Sequence, residues 1–161
     1  MFTQVRSANR RVSPVEDNKH KVVIKAVYVV LEPQYQNSLT EAAKSINEIN
    51  GPIGIDLSGY LIEELRNDKN FEDFKVDIAS ADIFIASLIF IEDLAQKVVD
   101  AVTPYKQNLK ASIIFPSMPE VMRLNKLGSF SMAQLGHLKV LLEILLKRKK
   151  NLMVLVSKIQ C

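Results

Sequence analysis

The stretch ADIFIASLIFIEDLAQKVVDAV, residues 81–102, changes its hydrophobic period once, and that change decides the fold. Its first part, DIFIASLIF over residues 82–90, is apolar without polar alternation, as expected of a strand covered on both faces in a parallel sheet. From residue 91 onward Leu94, Ala95, Val98, Val99 and Val102 recur at helical spacing, and Glu92 and Asp93 sit in the first turn, where the helix dipole favours acids. Thr103 and Pro104 close the helix. A buried strand handed directly to an amphipathic helix is one half of a β-α-β unit.

Working outward, the same unit recurs. Residues 22–31, VVIKAVYVVL, form a first strand of the same fully buried kind. Asn37 or Ser38 then caps a helix with Leu39, Ala42, Ala43, Ile46 and Ile49 on one stripe, Ser38 and Glu41 having capping-box spacing, and Gly51 and Pro52 stop it. Residues 53–57 read as a short second strand. Residues 59–66 and 70–79 read as two short helices, burying Leu61, Ile62 and Leu65 in the first and Phe71, Phe74 and Ile78 in the second.

After residue 102 a fourth strand, 111–115, leads into FPSMPEVMRLNKLGSFSMAQLG, residues 115–136. There Ser117, Pro119 and Glu120 spell a capped strand-to-helix turn. The resulting order, β-α-β-αα-β-α-β-α, predicts an α/β fold. The expected architecture is a Rossmann-like or flavodoxin-like three-layer sandwich whose mainly parallel sheet has about four strands in the order 2-1-3-4.

Composition narrows the function classes. With 161 residues, 48% hydrophobic and 24% charged, the chain suits one globular core, and no apolar run approaches the ~20 residues of a membrane span. Residues 1–20 are basic without an apolar signal core and are expected to be a flexible lead-in. The net charge of +3 owes much to Arg6, Arg10 and Arg11 at one end and to Lys147, Arg148, Lys149 and Lys150 at the other. Neither cluster carries stacking aromatics or a nucleic-acid-binding signature, so nucleic acid is not an expected partner. Cys161 is the single cysteine, which excludes an internal disulfide and cysteine-ligated zinc.

In an open parallel sheet, ligands bind beyond the carboxyl ends of the strands. Those ends here carry Glu32, Ser58, Glu92, Asp93 and the run from Ser117 to Glu120. Glu92, Asp93, Ser117, Met118, Glu120, Met122 and Arg123 are the candidate ligand-binding residues. The acids could hold a small ligand or ion, Met118 and Met122, with Met132, could offer an adaptable apolar surface, and Arg123 could meet an anionic group. Helix capping, core filling and a solvated helix face account for the same residues. No nucleophile, base and orienting group can be assembled, so no catalytic residue is assigned. The run Gly51-Pro52-Ile53-Gly54 lies where a helix passes to a strand, not a strand to a helix, and no phosphate loop occurs. His20 and His137 lack partners at ligand spacing, so no metal site is assigned.

Residues 21–136 resemble the N-terminal domain of the large, porphyrin-binding H subunit of magnesium chelatase, the enzyme that inserts Mg²⁺ into protoporphyrin IX during chlorophyll synthesis. The resemblance is carried by GYLIEELR (59–66), by residues 81–102 and by residues 115–136. It implies a piece of an ATP-driven metal chelatase whose substrates are protoporphyrin IX, Mg²⁺ and ATP, with ATP on partner subunits. The partners it implies are the remaining domains of the H subunit, the other chelatase subunits and, for a site in this domain, porphyrin. The expected location is the cytoplasm of a photosynthetic bacterium or the chloroplast stroma. Since the chelation chemistry lies in further domains of that family, this chain alone is expected to be a structural and interaction module that binds no cofactor.

After Gly136 the family's usual Gln-Ser-Lys-Ser-Ala-Ile gives way to HLKVLL. Loss of one base would generate this reading through Leu141. Residues 137–161 are therefore expected to be an out-of-frame tail on a truncated product; the other reading is an amphipathic last helix with a basic end.

Overall fold

The structure is a computed structural model that describes residues 10–14, 22–49, 51–127 and 130–131. Its centre is strand β2, Val22–Val30, paired in parallel along its whole length with β3, Ile53–Leu61, on one side. On the other side β2 pairs in parallel with β4, Ile83–Ser87, and β4 pairs in parallel with β5, Ala111–Ile114. The four strands expected from the sequence thus lie in the order 2-1-3-4, and the chain is an α/β three-layer sandwich. Short antiparallel strands extend the sheet to seven strands among the described residues: β1, Arg11–Val12, beyond β3, then β6, Lys126–Leu127, and β7, Phe130–Ser131, beyond β5.

Side chains alternate between two unequal faces. One carries the larger core: Val27 and Val29 of β2 and Phe84 and Ala86 of β4 pack with the helices α2, Asp68–Ala79, and α3, Glu92–Val102. Phe74, Ile78, Leu94 and Val98 from those helices are fully buried there. The other face carries Ala26, Tyr28 and Val30 of β2 and Leu57 of β3, under helix α1, Pro33–Glu48. Burial of such apolar surface, about 25 cal/mol per Å², is the main force holding the layers together.

The structure revises several sequence boundaries. Helix α1 begins at Pro33 rather than at residue 37 or 38, because proline at the first helical position has its φ already set and has no amide to satisfy. Ser38 is consequently mid-helix, and its hydroxyl donates back to the Gln34 carbonyl instead of capping. The expected apolar stripe of α1 is only partly buried: Ala43 is covered, while Ile46 and Ile49 are 39% and 63% exposed and the buried places go to Gln36 and Thr40.

The helix expected over residues 59–66 is instead the end of β3 followed by a 3-10 turn, Ile62–Arg66. Parallel pairing with β2 overrides helical spacing as far as Leu61. Strand β4 stops at Ser87, not at residue 90, because Leu88 takes a left-handed φ of 59° and turns the chain out of the sheet. Residues 11 and 12, placed in a flexible lead-in, pair instead with Ser58 and Leu57. Arg11 adds an ion pair to Asp77 at 2.9 Å, and Arg10 one to Glu64. Tyr60 also donates to Asp77; its burial and that carboxylate both push its hydroxyl pKa upward. His20, Met132, His137, Cys161 and the tail 137–161 lie outside the described residues.

Two asparagine amides close the flanks of the parallel core. Asn47 of α1 accepts from the Ile55 N–H at 2.7 Å and donates to the Ile55 carbonyl at 2.9 Å. Asn125 does the same to Ile114 at 2.7 and 3.2 Å. Beside it, the Lys126 ammonium donates to the carbonyls of Lys106, Gln107 and Leu109.

Gly59 faces Tyr28 across the β2–β3 pair, and a Cβ there would fall 2.0 Å from the Tyr28 ring. That ring is fully buried and cannot swing away. Gly59→Ala should therefore cost about 3 kcal/mol, and the Gly59→Ala, Tyr28→Ala double variant less than the sum of the singles, as measured by urea unfolding.

At the amino ends of the strands, Asp82 accepts from the Lys25 N–H at 2.9 Å and pairs with Lys110 at 2.8 Å. The Lys110 ammonium and then the Lys25 amide hold its carboxyl pKa below the ordinary value. With the folded value below the unfolded one, the contribution is complete above about pH 4 and fades as the pH falls through the folded value. Asp82→Asn should lower stability by about 1 kcal/mol at pH 7. The gap to the parent should close near pH 2 in the same unfolding assay.

Candidate functional site

The direction of chain travel reverses between β2 and β4. From β2 the chain crosses under α1 to β3 on one side, whereas β4 and β5 are added on the other, with α2 and α3 on the opposite face. At such a reversal the two loops leaving the carboxyl ends part, and a crevice opens between them. Here it is a groove of about 240 Å³ lined by Val30, Tyr35, Ser38, Leu39, Ile85, Ser87 and Phe115. Its walls are mostly apolar, with the hydroxyls of Tyr35, Ser38 and Ser87 as the side-chain polar groups of the lining residues.

The turn entering α1 sets what the groove can accept. It runs Leu31-Glu32-Pro33 with no glycine, and proline removes one of the free amides that would otherwise greet an anion. Glu32 stands at the helix entrance and takes a hydrogen bond from Gln34. A carboxylate at that point repels phosphate, so the geometry disfavours a nucleotide and suits an apolar ligand or side chain.

The seven residues singled out in the sequence sit around the neighbouring end of β4 and β5, and only some meet. Glu92, Met118 and Glu120 line a small cavity of about 120 Å³ with Ala95 and Gln96. Asp93 points elsewhere, paired with Arg66 at 2.7 Å, and that guanidinium holds its carboxyl pKa below the usual range. Met118 and Met122 are half-buried against the larger core. Arg123 is exposed, and its carbonyl accepts from the Lys106 ammonium.

Ser117 is not the helix cap that its spacing suggests. The helix it precedes, α4, Pro119–Met122, is a single turn entered at Met118 without a side-chain cap. Its hydroxyl accepts from the Ile89 N–H at 3.2 Å and donates to the Phe115 carbonyl at 3.0 Å. Backbone bonds from Leu88 to Pro116 and from Met118 to Ile89 complete a zip between the two loops. The left-handed Leu88 makes this possible by delivering residue 89 to the adjacent loop.

Among the described residues no group of three or more His, Cys, Asp or Glu side chains could hold a metal ion. Tyr35, Leu39, Ile85 and Phe115 were missed as site residues. The signal for them was the strand order: 2-1-3-4 puts the reversal between the first and third strands, not between the third and fourth.

Fold and groove together define an open α/β module with an apolar crevice at its topological switch point. Residues 25–157 match the family described as a domain of unknown function, DUF3479, and the chain belongs to that family. It is similar to magnesium-chelatase subunit ChlH, chloroplastic, of Oryza sativa subsp. indica and of Oryza sativa subsp. japonica. Each is 51% identical over 155 residues, which is 94% of this chain and 11% of the relative's length. The resemblance to the N-terminal domain of the chelatase H subunit is thereby borne out.

A structural role for Ser117 makes a measurable difference. Ser117→Ala leaves the part-buried Ile89 N–H without its acceptor and should cost about 1–2 kcal/mol in urea unfolding. Glu120→Gln, at an exposed carboxylate with no such bond in the structure, should leave stability within about 0.5 kcal/mol of the parent.

Proposed function

We propose that this chain serves the magnesium chelatase H subunit as a structural and interaction module, with metal insertion carried out by other parts of the enzyme. The single observation that supports this most is the 51% identity over 94% of the chain to ChlH subunits of which it spans 11%. The carboxyl edge of the sheet agrees with it: Asp93 is engaged by Arg66, Ser117 by two backbone groups, and the methionines by the core. In this reading protoporphyrin IX, Mg²⁺ and ATP are substrates of the complete enzyme, and the partners are the rest of the H subunit and the ATP-hydrolysing subunits. The location is the chloroplast stroma or the cytoplasm of a photosynthetic bacterium. No described helix is long and apolar enough to cross a membrane.

The switch-point groove favours a second reading, a porphyrin-binding module, since Tyr35, Leu39, Ile85 and Phe115 offer the apolar walls a flat macrocycle needs. Its volume of about 240 Å³ falls below the ~300–1,000 Å³ of pockets that enclose drug-sized ligands, which leaves the first reading ahead.

Titration of the purified chain with protoporphyrin IX or deuteroporphyrin, followed by Soret absorbance and fluorescence quenching, separates the two. The expected result is no saturable binding at micromolar ligand. Stoichiometric binding abolished by Phe115→Asp would overturn the interaction-module reading and locate the porphyrin in the groove. Loss with Met118→Ala or Arg123→Ala instead would locate it at the β4–β5 mouth.

A further inference from the structure

Helix α1 covers only half of its face of the sheet. Its buried contacts are to β2 and β3, where Ala43 packs with Ala26, Tyr28, Val30 and Leu57. The strand register carries the same face onward through Ile83, Ile85 and Ser87 of β4, then Ala111 and Ile113 of β5, then Leu127 of β6, with Phe115 just beyond β5. None of these side chains is charged. Ile113, Phe115 and Leu127 are 37%, 53% and 63% exposed, and Tyr35 of α1 borders them at 41%. A parallel sheet is stable with helices on both faces, and a solvated sheet face would show polar residues at these positions. A continuous apolar surface of this kind marks a docking site.

The sequence after β7 has the matching chemistry. In residues 138–147, Leu138, Leu141, Leu142 and Leu145 have the i, i+3, i+4, i+7 spacing of one helical face, and the charged Lys139, Glu143 and Lys147 fall away from it, with Val140 among them. This segment starts seven residues after Ser131, the end of a strand two places from β5. Two strand spacings are ~10 Å, well within the ~23 Å that seven residues can span. A helix over residues 138–150 would be ~20 Å long, close to the length of the strands it would cover. The family match runs to residue 157, so the matched domain includes the segment.

We propose that the open half-face of β4, β5 and β6 is a docking surface for this chain's own residues 138–146, seated through Leu138, Leu141, Leu142 and Leu145 as a second helix beside α1. Tethering places the segment at roughly millimolar effective concentration over the surface, which favours it over a second copy of the chain. The tail then completes the third layer, the opposite of what an out-of-frame extension would do.

The test uses the full chain with Cys161→Ser and a single reporter, Ile113→Cys. Maleimide labelling of Cys at 113 should be at least about tenfold slower than in the same chain carrying Leu141→Lys and Leu145→Lys. Lys139→Ala, on the opposite helical face, should leave the slow rate unchanged. Equal rates in the parent and the double-lysine chain would overturn the proposal, as would protection that disappears on dilution together with a dimer seen by sedimentation. Should the lysines unfold the chain, a disulfide test stands in: Ile113→Cys with Leu142→Cys should cross-link within one chain under mild oxidation, and Ile113→Cys with Lys139→Cys should not. Equal cross-linking of both pairs, or of neither, would reject the docking.

Discussion

Everything in this fold follows from the two-sided parallel pairing of β2. A parallel neighbour cannot be reached by a tight turn, so each partner of β2 demands a crossover, and right-handed crossovers to opposite sides must lie on opposite faces. That places α1 against β2 and β3 on one face and α2 and α3 on the other. The apolar groove between Tyr35 and Phe115 and the face beyond it that no described helix covers are both products of this division. Neither needs a specialised motif; each is what remains where the crossover layers diverge.

The two faces are built on different terms. The α2 and α3 side is self-contained, with Phe74, Phe84, Ile78, Leu94 and Val98 excluded from water and the loop residues Ile89 and Leu109, with Val121 of α4, sealing the ends. Phe74 lies within aromatic contact of Tyr60, Phe71 and Phe84, fixing α2 to the sheet. The α1 side has the smaller buried cluster, with Tyr28 its largest member, and Gln36 and Thr40 occupy positions that a complete helix layer would give to aliphatic side chains. The domain is thus anchored on one face and receptive on the other.

The architecture was legible because unbroken apolar strands such as VVIKAVYVVL and DIFIASLIF are unlike helices in residue type and length, and their alternation with amphipathic stretches leaves few topologies. Errors arose where local spelling competed with pairing across the sheet. GYLIEELR has helical spacing, yet Gly59, Tyr60 and Leu61 belong to a strand because β2 offers hydrogen-bond partners through Val30. Ser38 and Ser117 both have capping-box spacing, but Pro33 starts α1 earlier, and Ser117 serves the loop after β4. The candidate site was read from charged and polar residues, which capping and ion pairing absorb. The groove is made of ordinary apolar residues whose importance comes only from where the strand order leaves them.

The asparagines at the flanks give the parallel core an unusual boundary. On β3 the outer edge is occupied by a two-residue strand at Leu57 and Ser58 and by the Asn47 amide at Ile55. On β5 it is occupied by a two-residue strand at Ala111 and Ser112 and by the Asn125 amide at Ile114. Each amide imitates one rung of a ladder and then stops, so no long run of free backbone is left along the four-stranded core for a foreign strand to extend. Among the described residues, strand addition finds only short stretches of this core's edges to extend. A neighbour that meets the parallel core is thereby steered to a face, carrying side chains rather than backbone.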